Sequence, residues 1–186
     1  TYMMDGALEH RDSNGGGGLI TDGATQWMTA GAGIVHSEMP TEQIVVKGGL
    51  FHGVQLWVNL PRTQKWSAPQ YQDLDAEKVV LLASEDGAAV VRLIAGDLAD
   101  HCGPGSTRTP ITYAHVSVSP GARLRVPWRP DFNALVYVLA GYGAVGADRR
   151  PIQEGQLAVM GEGDIVTIFG DPRQDSRSQS LEAVLL

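Results

Sequence analysis

Apolar and polar residues alternate at period two along much of the chain, while helical spacing is scarce, so the pattern predicts an all-β fold. In Val54-Gln55-Leu56-Trp57-Val58-Asn59-Leu60, the residues Val54, Leu56, Val58 and Leu60 share one face of a predicted strand, and Gln55, Trp57 and Asn59 share the other. His115 to Ser119 alternates as well, and the turn Pro120-Gly121 leads into the alternating Arg123-Leu124-Arg125-Val126. Asp86-Gly87 lies between Val79-Val80-Leu81-Leu82 and the apolar run Ala89 to Ile94, which predicts a hairpin. The one helix candidate, Asp75 to Ala83, competes with that hairpin for the same residues. Thr1 to Met4 and Leu181 to Leu186 also read as strands, so the sequence is expected to be a fragment of a longer protein.

A weak internal repeat organises these strands. Early in the chain, Met4-Asp5-Gly6 ends a strand, Asp22-Gly23 turns the chain, and Gly31-Ala32-Gly33 precedes Ile34-Val35-His36. Later, Leu139-Ala140-Gly141 ends a strand, Glu154-Gly155 turns the chain, and Gly161-Glu162-Gly163 precedes Asp164-Ile165-Val166. Two copies of one antiparallel unit predict two β-barrels or jelly rolls in tandem. The polar stretch from Cys102 to Pro110 sets the expected boundary, giving domains at 1–107 and 108–186, with some exchange of strands between them.

Composition narrows the function. With 43% hydrophobic and 19% charged residues, the 186-residue chain can bury a real core, which excludes disorder for most of it. The net charge is -7 and no Lys/Arg run tracks phosphates, so direct nucleic-acid binding is not expected; a small ligand or a protein partner is. No apolar stretch approaches the ~18 residues of a membrane span, and no secretion signal opens at Thr1. Cys102 is the sole cysteine, which rules out an intramolecular disulfide and suits a reducing cytoplasm. A cytoplasmic monomer is the expectation.

The residues that bear chemistry are few. His36 and Glu38, two apart on a predicted strand, project from one face, while Ser37 turns away. An imidazole and a carboxylate converging inside a barrel make half of a mononuclear transition-metal site with open positions. Two ligands are half a site, however, and spacing alone favours a hydrogen-bonded histidine beside a strand-end carboxylate. The second copy carries Ile165-Val166-Thr167-Ile168-Phe169 at the matching place, with no metal donor, so any metal belongs to the first half. Gly141-Tyr142-Gly143-Ala144-Val145-Gly146 matches the dinucleotide glycine pattern, but Ala147 to Pro151 cannot begin the helix that the pattern needs, so a hairpin is predicted. Gly15 to Gly18 reads as a hairpin tip. His10 and His52 have no partner at ligand spacing and read as structural histidines within reach of the same barrel. Cys102 is not expected to be a nucleophile. Of the tryptophans flanking the site, Trp27 is assigned to core packing.

Together, "GALEHRDSNG" (Gly6 to Gly15), "QWMTAGAGIVHSEMP" (Gln26 to Pro40), "GVQLWVNLP" (Gly53 to Pro61), "PQYQ" (Pro69 to Gln72) and "GEGD" (Gly161 to Asp164) resemble the pirin family, in its order and over nearly the whole chain. The resemblance implies a bicupin: two antiparallel jelly-roll barrels with a metal, usually iron, in the N-terminal one. It implies a site of three histidines and one glutamate. The latter pair falls on His36 and Glu38, while the His-Pro-His segment that supplies the other two would lie before Thr1; last strands and a helix would follow Leu186. Two of four ligands would then be present, so iron binding by this chain is expected to be weak or absent.

The activity implied by the resemblance is quercetin 2,3-dioxygenase, the opening of a flavonol ring with dioxygen. Fe(II) would be the cofactor, with other divalent transition metals able to replace it. Glu38 would be a metal ligand and the catalytic base toward the flavonol hydroxyl, and His36 a pure ligand. The alternative that it implies is a non-enzymatic, iron-dependent regulator that binds a transcription factor or a metabolic enzyme. The partner is then a flavonol-like small molecule in the first case and a protein in the second.

Overall fold

The computed structural model describes residues 1–186, and their contacts divide the chain into two units, Thr1–Val79 with Thr107–Thr109, and Val80–Ser106 with Pro110–Leu186. Both are built from short antiparallel strands, as the period-two pattern predicts.

In the first unit, β1 (Tyr2–Asp5), β4 (Thr25–Thr29), β6 (His52–Val54) and β7 (Gln70–Leu74) form one sheet in the order β6-β1-β4-β7. β2 (Leu8–Asp12), β3 (Gly17–Ile20) and β5 (His36–Pro40) form another in the order β3-β2-β5. Met3, Leu8, Ile20 and Ala24 pack together as its buried core.

The second unit contains β8 (Val80–Ala83), β9 (Ala89–Ala95), β10 (Asp97–Leu98), β11 (His101–Cys102), β12 (Tyr113–Val118), β13 (Arg123–Pro127), β14 (Leu135–Ala140), β15 (Tyr142–Val145), β16 (Arg150–Gln153), β17 (Leu157–Val159), β18 (Ile165–Gly170) and β19 (Leu181–Leu185). A six-stranded sheet, β17-β14-β19-β12-β9-β8, faces its core with Ala114, Val116 and Val118 from β12 and Leu181, Ala183 and Leu185 from β19. The four-stranded sheet β13-β18-β15-β16 contributes Leu124, Val126, Val166 and Ile168 to the same core. Strands β8 and β9 precede the sequence boundary at 107/108, yet β9 pairs with the second unit's β12 and β8 pairs with β9.

The repeat seen in the sequence is a repeat of topology. β1 pairs with β4 as β14 pairs with β17, and β3-β2-β5 corresponds to β16-β15-β18. The Asp86-Gly87 hairpin forms, pairing Val80 with Leu93 and Ala83 with Val90. Leu181–Leu185 and Tyr2–Asp5 are strands as expected, and the glycine pattern at 141–146 lies in the β15-β16 hairpin rather than at a helix start. Gly96 sits at a positive φ of 76° between β9 and β10, where an added Cβ would strike the Ile111 carbonyl, so only glycine fits.

Three expectations are corrected. The strand predicted over Val54–Leu60 stops at Val54, because Val54 pairs with Tyr2, the first residue of β1, where the ladder ends. Its alternation survives as exposure: Val54, Leu56, Val58 and Leu60 are half-buried, while Gln55, Trp57 and Asn59 are exposed. The helix candidate Asp75–Ala83 shrinks to a single 3₁₀ turn at Ala76–Lys78, since β8 takes the remaining residues into the sheet. A helix that was not expected, α1 (Glu42–Lys47), lies on the surface with no buried residue. Its β-branched Ile44, Val45 and Val46 argue against a helix, whereas Glu42 in the first turn and Lys47 in the last match the helix dipole. No helix is long and apolar enough to cross a membrane.

Candidate metal centre

The register of one ladder creates the site. Antiparallel pairing of β2 with β5 sets His10 opposite Glu38 and Asp12 opposite His36. Residues two apart on a strand share a face, so both pairs project to the same side. One donor atom from each of His10, His36 and Glu38 comes within 4.8 Å of the others.

Hydrogen bonds fix each group's role. The Asp12 carboxylate accepts from the backbone N–H groups of Asn14 (2.8 Å) and Gly16 (3.0 Å), a turn that closes the β2-β3 hairpin. Burial pushes this carboxyl up, but those two bonds and the His10 contact outweigh it and hold it below the usual carboxylate range. His10 places Nε2 3.3 Å from Asp12 Oδ2, and its Nδ1 lies 3.0 Å from the Gln26 amide nitrogen. That nitrogen also donates to Glu38 Oε1 at 2.7 Å, an acceptor-only group, which settles which end of the amide points inward. An amide nitrogen only donates, so His10 Nδ1 accepts, and the imidazole proton sits on Nε2 facing Asp12.

Glu38 is held from the other side. Its Oε2 accepts from Gln55 Nε2 (3.0 Å) and from the Thr1 hydroxyl (3.4 Å), while Trp57 Nε1 donates to Gln55 Oε1 and orients that amide. Oε1 therefore faces the imidazoles, 3.8 Å from His36 Nδ1 and 3.9 Å from His10 Nδ1. Beneath them Tyr71 stacks on His10, with ring centroids 4.7 Å apart and planes at 16°. Its hydroxyl is buried without a hydrogen-bond partner, and desolvation, with the nearby Asp73, Asp12 and Glu38 charges, pushes its pKa up to about 12. The phenol is thus a proton-bearing donor throughout the physiological range. Gly18, paired with His10 across β2-β3, allows this packing, since a Cβ there would lie 2.9 Å from the phenol oxygen.

Side-chain exposure rises from 0% at His10 through 16% at Glu38 to 33% at His36, so the cluster opens to solvent on the His36 side. These residues fit a divalent transition metal. Two imidazoles and a carboxylate are the donor set such ions take, leaving positions for exogenous ligands. Bonds of about 2.1 Å bring ligand atoms to about 3 Å from one another. The two imidazoles lie 3.8–3.9 Å from Glu38 Oε1 and the whole group spans no more than 4.8 Å, so binding an ion needs a contraction of about 1–2 Å.

The sequence-derived pair His36 and Glu38 does converge, and His10 joins it, although the sequence reading set His10 aside for want of a partner at ligand spacing. The missed signal is the pattern His10-x-Asp12 running antiparallel to His36-x-Glu38, which becomes visible only once β2 and β5 are paired. Gln26, Gln55 and Tyr71 also carried no local signal of their roles. His52 stands apart, 3.8 Å from Asp5. Cys102 is exposed, and contact with Asp97 together with burial pushes its thiol pKa up, the opposite of an activated nucleophile. Trp57 is 88% exposed and serves Gln55. In the second unit β18, the counterpart of β5, carries Thr167, Ile168 and Phe169 at the corresponding place.

Comparison with known proteins agrees with this architecture. The family profile described as Pirin matches residues 1–58, and that of the Pirin C-terminal cupin domain matches residues 113–180. The chain is 34% identical over 188 residues to Pirin-1 of Arabidopsis thaliana, covering 100% of this chain and 61% of that protein. It is 37% identical over 164 residues to a putative quercetin 2,3-dioxygenase of Pseudomonas aeruginosa, covering 88% and 57%. The crystal structure of a quercetin 2,3-dioxygenase from Acinetobacter baumannii superposes with a TM-score of 0.88 at 32% identity, covering 99% of this chain and 62% of that one. The chain spans 46% to 65% of the length of the first three curated relatives it matches. The all-β, two-unit architecture is that of a tandem cupin.

Proposed function

The chain belongs to the pirin family, and on that premise we propose that it is a metal-binding bicupin acting as an iron-dependent quercetin 2,3-dioxygenase. The observation that carries this reading is the convergence of His36 and Glu38 with a second imidazole in a cluster open on one side. His36 and Glu38 would hold the ion, with Fe(II) the first choice and other divalent transition metals able to take its place. When bound, such an ion supplies Lewis acidity and open positions for substrate and dioxygen.

The chain's own groups then divide the work. Gln55 and Thr1 anchor Glu38 Oε2 and Gln26 donates to Oε1, which fixes the carboxylate beside the imidazoles, where it would accept the proton of a flavonol hydroxyl. His36, the most exposed of the three, borders the entrance. The reading places the reaction in the cytoplasm, where a lone exposed thiol such as Cys102 stays reduced.

The test is loss of the flavonol absorbance when the chain, loaded with Fe(II) without oxygen, meets quercetin and dioxygen. Turnover abolished by His36→Ala and by Glu38→Ala supports the enzyme. The net charge of -7 favours a second reading, an iron-dependent regulator that docks on a basic protein surface. That reading gains if the loaded protein leaves quercetin intact and binds a protein partner only with metal present.

A further inference from the structure

We propose that the mouth of the second barrel is a binding site for an uncharged, planar aromatic molecule, held by apolar contact and without a metal. The inference is independent of the metal-centre reading, since every residue that would touch the ligand lies in the second unit.

The first support is a comparison of the two halves. Gly6 and Gly141 turn the chain at matching places with positive φ, 100° and 87°, and His10 and Val145 follow them at equal spacing. His10 pairs with Glu38 across β2-β5, and Val145 pairs with Ile168 across β15-β18. His36 and Val166 each stand two positions before those partners. Where the first unit gathers two imidazoles and a carboxylate, the second therefore places three aliphatic side chains, all buried in its apolar core. The same corner of the repeat has exchanged metal-donor chemistry for apolar chemistry.

The second support is the recess at that corner. Val145 and Val166 line an opening of about 920 Å³, together with Trp128, Phe132, Ala158 and Met160. Small-molecule sites span roughly 300–1,000 Å³ and are mostly apolar. The aromatic wall is fixed in advance. The Phe132 N–H donates to the Arg129 carbonyl at 3.0 Å, and the Arg129 guanidinium, clamped on Asp131 at 2.6 and 3.1 Å, lies 4.1 Å from the centre of the Phe132 ring.

Polar groups in the lining are already engaged. The Trp128 indole N–H donates to the Asn133 carbonyl at 3.3 Å, and Gln156 Oε1 accepts from the Gln153 backbone N–H at 3.0 Å. A charged ligand would lose its hydration there without gaining a partner. An aromatic ring instead gains contact with Trp128, Phe132 and the Met160 thioether. Exposed Asp148, Arg150 and Glu162 also border the recess, and their mixed signs suit hydroxyl or carbonyl substituents rather than a net charge.

The experiment adds N-phenylnaphthylamine, an uncharged aromatic probe, to the 186-residue chain in the presence of a chelator. It follows the probe's fluorescence and the carbon-13 methyl spectrum of the methionines. Met160 is the second unit's only methionine, while Met3, Met4, Met28 and Met39 lie in the first. The proposal expects saturable binding of one probe per chain and a shift of the Met160 methyl, assigned with Met160→Leu, with the other four unmoved. Ala158→Phe, which fills the recess, is expected to weaken binding about 10-fold or more. Absence of saturable binding overturns the proposal, as does a probe that moves Met28 or Met39 and leaves Met160 in place. Undiminished binding in a folded Ala158→Phe also overturns it. A chain that sediments as a dimer and dissociates on Val159→Asp would give this face to a second copy, against the proposal. The Met160 shift in the unaltered chain decides the point even if the Ala158 variant fails to fold.

Discussion

Glu38 on β5 is the direct cross-strand partner of His10 on β2, and the two acceptors share one donor, the amide nitrogen of Gln26. A one-residue slip of this ladder would turn every side chain on β5 to the opposite face and dismantle the cluster.

Gln55→Ala is expected to weaken metal binding with little change in stability. Gln55 is exposed, and its contribution is the bond to Glu38 Oε2 that keeps Oε1 facing the imidazoles. A side chain that orients a metal ligand through a hydrogen bond is worth about 10- to 100-fold in affinity, while an exposed substitution shifts stability by no more than about 0.5 kcal/mol. Trp57→Ala should follow in the same direction and more weakly, because Trp57 acts through Gln55. Parallel metal titrations and thermal melts check both; equal affinities would show that Glu38 needs no anchor.

Gly18→Ala is expected to lower the melting temperature, because its Cβ would sit 2.9 Å from the Tyr71 hydroxyl and 3.2 Å from the Asp73 carboxylate. Overpacking of this kind costs about 1–3 kcal/mol. The penalty should shrink in a Tyr71→Phe background, where the phenol oxygen is gone. A double-mutant cycle measures the coupling, and additive effects would mean that the clash is relieved elsewhere.

Much of the fold was legible because alternation and turn glycines are local. The Asp86-Gly87 hairpin needed only the turn and the flanking β-branched residues, and the tandem repeat needed only the spacing of Gly turns. Val54–Leu60 shows the limit: its pattern reports a half-buried segment, but whether a ladder forms depends on the partner strand, here β1. The centre was half legible for the same reason. His36 and Glu38 lie two residues apart on one strand, whereas His10 is 28 positions from Glu38 and meets it only through the β2-β5 register. Gln26 and Tyr71 arrive from β4 and β7, and no spacing rule connects them to β5.

Glu182→Gln is expected to flatten the acid side of the stability profile. In the second unit Glu182 lies 2.9 Å from His115 Nε2 and accepts from Ser117 (2.6 Å) and Ser178 (3.2 Å). Burial pushes its carboxyl up, but these contacts outweigh burial and hold it below the usual range. A carboxyl with a depressed folded-state pKa adds stability that is complete above its unfolded value, near 4.5, and is lost as pH falls through the lower folded value. Unfolding curves at neutral pH should show the variant less stable by about 1–3 kcal/mol, with the difference from the parent narrowing below pH ~4.5. A pH-independent difference would show that the charge of Glu182 plays no part.

The central claim is that this chain holds a metal at His36 and Glu38. The most direct measurement is iron content by plasma mass spectrometry after anaerobic Fe(II) loading and desalting, on the parent chain, His36→Ala and Glu38→Ala. The account predicts near one equivalent of iron in the parent and loss of nearly all of it in both variants. An iron-free parent, or iron retained equally by both variants, would contradict it.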